Sequence, residues 1–331
     1  MTIRIIFWKI QKVLTRLAQL LYPKFDQISS RKHKSDSIIT LKISEEHVGL
    51  DNYKNLPETD FRRILEIKNS ILNPKTGLIW LNKKIVKESS YWNINELIKW
   101  EPYPYFSNRL SGTYNFLPDN GFFHFLIEDL PRFIETNDFD PSTVTIAGSH
   151  AKYITDALDI LKPNAYITHL APVKIDSIIF SEKISGQVFS KNDLKLIKEV
   201  FSPFIKSNQN ESVFISRADT KGDKFKSRGI DLKYIIEDIF LSFGFKIVYL
   251  EKLNLIDQIS MMSRSRRIAG FHGAGLANII WADQANVMEI SKTRSTRHFE
   301  HLSNISSNNY LYFSTLNSLS DLRNKIEKMF N

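Results

Sequence analysis

Cysteine is absent from all 331 residues. Disulfide frameworks, thiolate metal centres and cysteine nucleophiles are therefore excluded, and a reducing compartment fits. Long apolar runs are absent too. Nowhere do about 18 apolar residues follow one another, the length a membrane-spanning helix needs. Two catalytic signatures are missing. Without G-x-S-x-G there is no nucleophile elbow, and without G-x-G-x-x-G there is no dinucleotide fingerprint. The one D-x-D, Asp138-Phe139-Asp140, runs directly into Pro141 and reads as a chance match in a loop.

Excess positive charge is scarce over most of the chain. The net charge is +9, yet residues 1–34 hold Arg4, Lys9, Lys12, Arg16, Lys24, Arg31, Lys32 and Lys34 against Asp26 alone. The remaining body is nearly neutral, which argues against a nucleic-acid partner. In that first segment Ile3, Ile6, Phe7, Ile10, Val13, Leu14, Leu17, Leu20 and Leu21 recur at the spacing of one helical face. Residues 3–21 thus read as a basic amphipathic helix, without the apolar centre and cleavage site of a signal peptide. Such a helix suits an anionic membrane surface. Docking on its own domain is the alternative. The expected location is cytoplasmic, with peripheral attachment to the inner face of the cell membrane.

What is present is a soluble, globular composition, 42% hydrophobic and 24% charged. The length favours two domains. After one strand at Ser37–Ile43, "TGLIWLNKKIVKES" reads as a strand pair. "NGFFHFLIEDLPRFIE" reads as a helix with Pro131 near its end or at a kink. "STVTIAG", "AYITHLA" and "VKIDSIIFSE" read as strands, and "KYITDALDILKP" as a helix stopped by Pro163. "SKNDLKLIKEVFSPFI" reads as a helix that bridges the halves. From Glu211 onward strands and helices alternate regularly, which implies a parallel sheet covered on both faces. The expected division is 1–34 helix and linker, 35–190 first α/β domain, and 191–331 Rossmann-like domain.

In the second half, "RRIAGF" delivers the chain to His272-Gly273-Ala274-Gly275, and a helix is expected to start near Ala274 or Gly275 and run to Ala282. The glycines permit positive φ and close backbone approach. The helix start carries open N–H groups and the positive end of a dipole, a place for phosphate. His272 can add a hydrogen bond. A tight turn built only for packing is the plainer alternative. Arg217 lies at the carboxyl end of the strand "SVFISR" and should lie on the same sheet edge. Lys221, Lys224, Lys226 and Arg228 crowd the loop after it, and of these Arg228 joins Arg217 as an anion clamp. Glu289, a charge in the apolar strand "NVMEIS", can accept from a ribose diol or pair with Lys292 or Arg294. In the first half, His124 and Glu128 stand four apart and share a helix face. A carboxylate so placed can raise the basicity of the imidazole. On residues alone, a buried histidine satisfied by a carbonyl is the simpler account. Asp129 is expected to meet solvent or Arg132. The aromatics of the loop 101–116 can stack on sugar faces or simply pack.

"NGFFHFLIEDLPRF" (120–133), "FISRADTKGDKFKSRG" (214–229) and "RIAGFHGAGLANIIWADQANVMEI" (267–290) together resemble glycosyltransferase family 61, of the capsular polysaccharide biosynthesis type. The resemblance implies an α/β GT-B fold, two Rossmann-like domains facing a central cleft. It implies inverting, metal-independent sugar transfer from a nucleotide sugar to a glycan or lipid-linked acceptor in surface polysaccharide or lipopolysaccharide synthesis, with no cofactor. It places the catalytic pair on His124 and Glu128. Donor contacts fall to Ser216, Arg217, Arg228, His272, Gly273, Ala274, Gly275, Leu276 and Glu289. The family continues its arginine loop as Arg-Arg-x-x-Asn-Glu, whereas this chain reads Arg228-Gly229-Ile230-Asp231-Leu232-Lys233. "DQAN" also replaces the usual Pro-Gly. These departures motivate a second reading, a non-catalytic sugar-nucleotide or polysaccharide-binding module. A sugar-nucleotide epimerase is a third.

The amphipathic segment generates a test. The full chain should co-sediment with vesicles containing anionic lipid and be released by salt. Recovery in the soluble fraction alone at low salt would overturn the membrane expectation.

Overall fold

A computed structural model describes residues 10, 38–39, 53–55, 62–86, 89, 103–105, 107–137, 142–163, 165–182, 189–208, 210–217, 232–294 and 296–330. Apart from Ile10, the N-terminal helix expected at 3–21 lies outside the described residues. So do Asp138–Asp140, Lys221, Lys224, Lys226 and Arg228. The chain divides into two compact units: Met1–Asn120 with Glu128–Val188, and Gly121–Ile127 with Phe189–Asn331.

Among the described residues, the first unit holds a nine-stranded mixed sheet. Its strands are β1 (Ile38–Ile39), β2 (Tyr53–Asn55), β3 (Ile64–Asn73), β4 (Leu78–Leu81), β5 (Lys84–Val86), β6 (Asn108–Leu117), β7 (Val144–Ala147), β8 (Tyr166–Thr168) and β9 (Val173–Ser181). The order is β1-β5-β4-β3-β9-β6-β7-β8, with β2 beside β3. The expected strand pair is β4 and β5, joined by Asn82 and Lys83 at φ 50° and 65°. Two successive positive φ values match the twist of a tight hairpin. Between β3 and β4, Asn73 Oδ1 accepts from Lys75 N at 3.1 Å and Gly77 N donates to Asn73 O at 2.8 Å. Asn, Pro and Gly thus turn the chain by local hydrogen bonding. These short turns force antiparallel neighbours, so the parallel run of a Rossmann half spans β9-β6-β7-β8, with β1 and β5 a further parallel pair. The first half is expected to alternate β and α less cleanly than the second, and these hairpins are where the alternation is interrupted. β6 also takes up half of the supposed aromatic loop, with an irregular register between Leu110 and Thr113. β4 is buried at every position, so both faces of the sheet are covered at that strand.

The helix α1 begins as α over Phe122–His124, widens to π over Phe125–Asp129, and returns to α over Leu130–Asn137. Pro131 supplies the reason. It has no N–H to donate, and its ring crowds the carbonyl of Ile127. A wider turn relieves that crowding without ending the helix. Pro131 therefore sits inside the helix, not near its end. α2 (Lys152–Leu161) does end as expected, with Lys162 left-handed at φ 48° and donating to Leu158 O at 2.8 Å ahead of Pro163.

In the second unit α3 (Lys191–Val200) starts with a capping box of Ser190 and Asp193. The helix expected to bridge the halves thus groups with the second. After it come β10 (Glu211–Ile215), α4 (Lys233–Ser242), β11 (Lys246–Val248), α5 (Leu255–Ser263), β12 (Ser265–Phe271), β13 (Asn286–Ser291), α6 (His298–Ile305), β14 (Asn309–Ser314) and α7 (Leu319–Phe330). The five strands run parallel in the order β11-β10-β12-β13-β14. This is a doubly wound sheet, and ligands of such sheets bind where the strand order reverses. Phe214, Phe240 and Phe271 pack across it, with ring centroids 4.7 and 5.2 Å apart. Each such buried side chain contributes about 1.5–3 kcal/mol.

The reversal falls between β10 and β12, whose last rung pairs Ile215 with Gly270. Beyond it the strands part. Ser216 N turns to Val248 O of β11 at 2.8 Å, while His272 N turns to Ile290 O of β13 at 2.8 Å. At such a divergence a doubly wound sheet has its crevice beyond the carboxyl edge. The rung itself is tight: a Cβ at Gly270 would lie 2.9 Å from both Ile215 Cβ and Ile215 O. Gly270→Ala should therefore destabilise the protein by about 1–3 kcal/mol through overpacking, measured by urea unfolding. An unchanged midpoint would show that the rung is looser than described.

Candidate functional site

The crevice is bordered by the chain after β10 and the chain after β12. Arg217 comes from the first. Its Nη1 donates to His272 O at 2.9 Å. Gly273 makes that approach possible, because a Cβ there would lie 2.7 Å from Arg217 Nη1. Gly273 has φ 164°, and Gly275 is not among the glycines with positive φ. The expectation of positive φ at these glycines is corrected. Their backbone is one that any residue could adopt; what sets them apart is tight space, a Cβ at Gly273 displacing the flexible end of Arg217. At Gly275 the neighbour is Ile215 Cγ2, 3.2 Å from a built Cβ.

The following helix also differs from expectation. It starts where the sequence places it, near Ala274 or Gly275, but coils as a 3-10 helix over Ala274–Trp281. Leu276 through Trp281 are all buried, so no polar face guides an α-helical period. Side chains support the tighter coil instead. Asn278 Nδ2 donates to Gly275 O at 3.2 Å and to Gln258 Oε1 at 3.0 Å, and Trp281 Nε1 donates to Asn278 Oδ1 at 3.2 Å. Long 3-10 runs are uncommon and often mark functional segments. Leu276 N closes the first turn onto Gly273 O at 3.0 Å, and no side chain caps the start. The N–H groups of Ala274 and Gly275 have no place in the helical ladder, so they can meet an anion.

His272 is held from behind. Its Nδ1 lies 2.5 Å from Glu289 Oε1, and Tyr310 Oη donates to Glu289 Oε2. Glu289 is only 1% exposed, whereas the His272 side chain keeps 18%. Glu289 thus has both oxygens engaged inside the sheet. Its partner is His272, neither Lys292 nor Arg294, and the outward ribose contact expected of it gives way to an inward one. Burial, and then the carboxylate beside it, push the Tyr310 phenol well above its ordinary range, which keeps it a donor. Arg294 lies over the Tyr310 and Tyr312 rings at 5.6 and 5.5 Å and pairs with Glu300 at 2.6 Å. Ser216 is likewise drawn inward. It is 2% exposed, and its hydroxyl donates to Glu237 of α4, near the buried Lys233.

His124 reaches this neighbourhood although it lies early in the sequence. Segment Gly121–Ile127 belongs to the second unit. Phe123 packs on His298 at 5.7 Å and edge-on to Phe299 at 5.8 Å. His272 meets the same Phe299 ring at 5.4 Å. One aromatic ring thus links the glycine loop to the turn that carries His124. Glu128 groups with the first unit, and the turn between the two residues is π, not the α turn that the four-residue spacing assumed. Of the two placements expected for Asp129, solvent is overturned, since it is 2% exposed and accepts from Asn120 Nδ2 at 3.2 Å, while its charge does act on the buried Arg132. Sequence reasoning missed Tyr310 and Phe299. Tyr310 and Tyr312 alternate on β14, but only the strand register reveals that they stand beside Glu289.

Residues 122–288 match the family model described as Glycosyltransferase 61. The matched span contains His124, Arg217 and the whole His272–Leu276 loop. No curated protein matches the chain.

Gly273→Ala should push the Arg217 guanidinium off the His272 carbonyl. Because the obstructed group is the end of a flexible side chain, stability should change by less than about 0.5 kcal/mol. A crystal structure of the variant and its urea midpoint check both statements. An unmoved Arg217 would contradict the close approach.

Proposed function

The chain belongs to glycosyltransferase family 61, and from that premise we propose that it moves a sugar from a nucleotide-sugar donor to a glycan or lipid-linked acceptor, with inversion and without an essential metal. One observation carries the reading: Arg217 sits against Gly273 and on the His272 carbonyl, beside the open N–H groups of Ala274 and Gly275, at the strand reversal. Positive charge and backbone donors converge there, as a departing diphosphate requires. A guanidinium binds phosphate oxygens in pairs, so Arg217 need not rely on a cation between it and the donor. Arg228 joins it on this reading.

Inversion needs one base for the acceptor hydroxyl. We assign that proton to His124, which adjoins the aromatic contact with the glycine loop. Glu128 is the other member of the pair, and Glu128→Gln tests its share. The acceptor belongs to surface polysaccharide synthesis, and residues 3–21 bring the enzyme to the inner membrane face. The second reading, a non-catalytic binding module, is favoured by the missing Asn-Glu pair after Arg228.

A panel of nucleotide sugars and acceptors separates the two. For the enzyme, His124→Ala should lower kcat by about 10²–10⁴-fold while donor Kd stays within a few-fold. Arg217→Ala should lower kcat/KM by about 10²-fold or more. EDTA should leave turnover intact. Donor binding without turnover by the native protein across the whole panel would establish the module instead.

A further inference from the structure

We propose that Glu289 and Tyr310 form a carboxylate–phenol clamp that makes His272 a cationic donor to the leaving diphosphate. This rests on the donor-site reading above and deepens it. Three facts support the clamp. Nδ1 of His272 is committed to Glu289 at 2.5 Å. The second carboxylate oxygen is committed to Tyr310, a phenol kept protonated by burial and by the carboxylate itself. The third is that Nε2 has no hydrogen bond to any described residue, while the ring remains 18% exposed.

A carboxylate on Nδ1 fixes which nitrogen carries the inward proton and stabilises the ring when it is positive. Nε2 is then presented outward, in the same loop as the Ala274 and Gly275 amides. The charged groups around the ring are Glu289 from β13 and Arg217 from beyond β10. His298 lies beside Phe299 on α6, and His124 lies next to Phe123. Arg294 adds its charge over the Tyr310 ring. An arriving diphosphate supplies negative charge to this set and favours the imidazolium, so donor binding should be accompanied by proton uptake.

In the transfer step the bond between the anomeric carbon and the diphosphate oxygen breaks, and its electron pair goes to that oxygen. The acceptor oxygen bonds to the anomeric carbon, and its proton passes to the base. His272 keeps its own proton and donates a hydrogen bond from Nε2–H to the oxygen that gains charge. Glu289 and Tyr310 touch neither donor nor acceptor. They are positioning residues.

The test uses the full chain with UDP, GDP and inorganic pyrophosphate as probes. Calorimetry in two buffers of different ionisation enthalpy reads proton uptake, and ¹⁵N spectra of labelled histidine, assigned with His272→Gln, read the imidazole tautomer without any ligand. The native protein should show Nδ1 protonated and take up a proton on binding the best probe. Glu289→Gln should abolish the uptake and weaken binding by about tenfold or more, the loss expected for a charge-assisted hydrogen bond. Tyr310→Phe should keep the uptake with a smaller loss. Should Glu289→Gln bind with unchanged affinity and uptake while Arg217→Ala loses binding, the clamp is wrong and the diphosphate site stands. An Nε2-protonated tautomer in the native protein would overturn the clamp by itself. Failure of the native protein to bind any probe would remove the donor-site reading and the clamp with it.

Discussion

The space left by a missing side chain at Gly273 is occupied by the guanidinium of Arg217. That single approach joins the ends of two strands that have already separated, β10 turning toward β11 and β12 toward β13. It keeps the crevice at the strand reversal from being a simple gap. It also engages the loop carbonyl of His272, which lies just before the amides of Ala274 and Gly275. A positive group, open backbone donors and a histidine then occupy one edge of one sheet, where an anion is stabilised without the protein reorganising around it.

Behind that edge the sheet carries a line of polar groups that would be costly if left alone. Glu289 is a carboxylate inside an apolar strand, and burying it demands partners. His272 and Tyr310 supply them from the neighbouring loop and strand. Ser216 and Glu237 repeat the pattern on the other side of the crevice. Glu289 and Ser216 were expected to face a ligand. Both instead hold the residues that follow or face them, so the site has a supporting layer of hydrogen bonds beneath its exposed one.

The π turn of α1 has a comparable double role. Pro131 forces a wider turn, and the segment before it, Gly121–Ile127, groups with the second unit. Phe123 and Phe299 provide the apolar contact that fixes His124 there. A residue that the linear order assigns to the first half is thereby part of the unit that carries the glycine loop.

The sequence by itself determined the order and type of most elements of the second unit, the strand pair β4–β5, the stop at Pro163 and the family. These follow from short-range causes: periodic burial, turn chemistry and a loop motif read in a few consecutive residues. Its reading of Arg217 and His272 as neighbours on one edge also followed, since both lie just past strands of a parallel sheet. Only the tertiary structure decided that Gly273 is extended and needed for room, that Ala274–Trp281 coils as 3-10, that Asp129 is buried, and that Tyr310 completes the Glu289 pair. Each of these depends on strand register or on a ring packed from a distant segment. Such contacts are set by which surfaces meet when the chain closes on itself, and no local pattern encodes them.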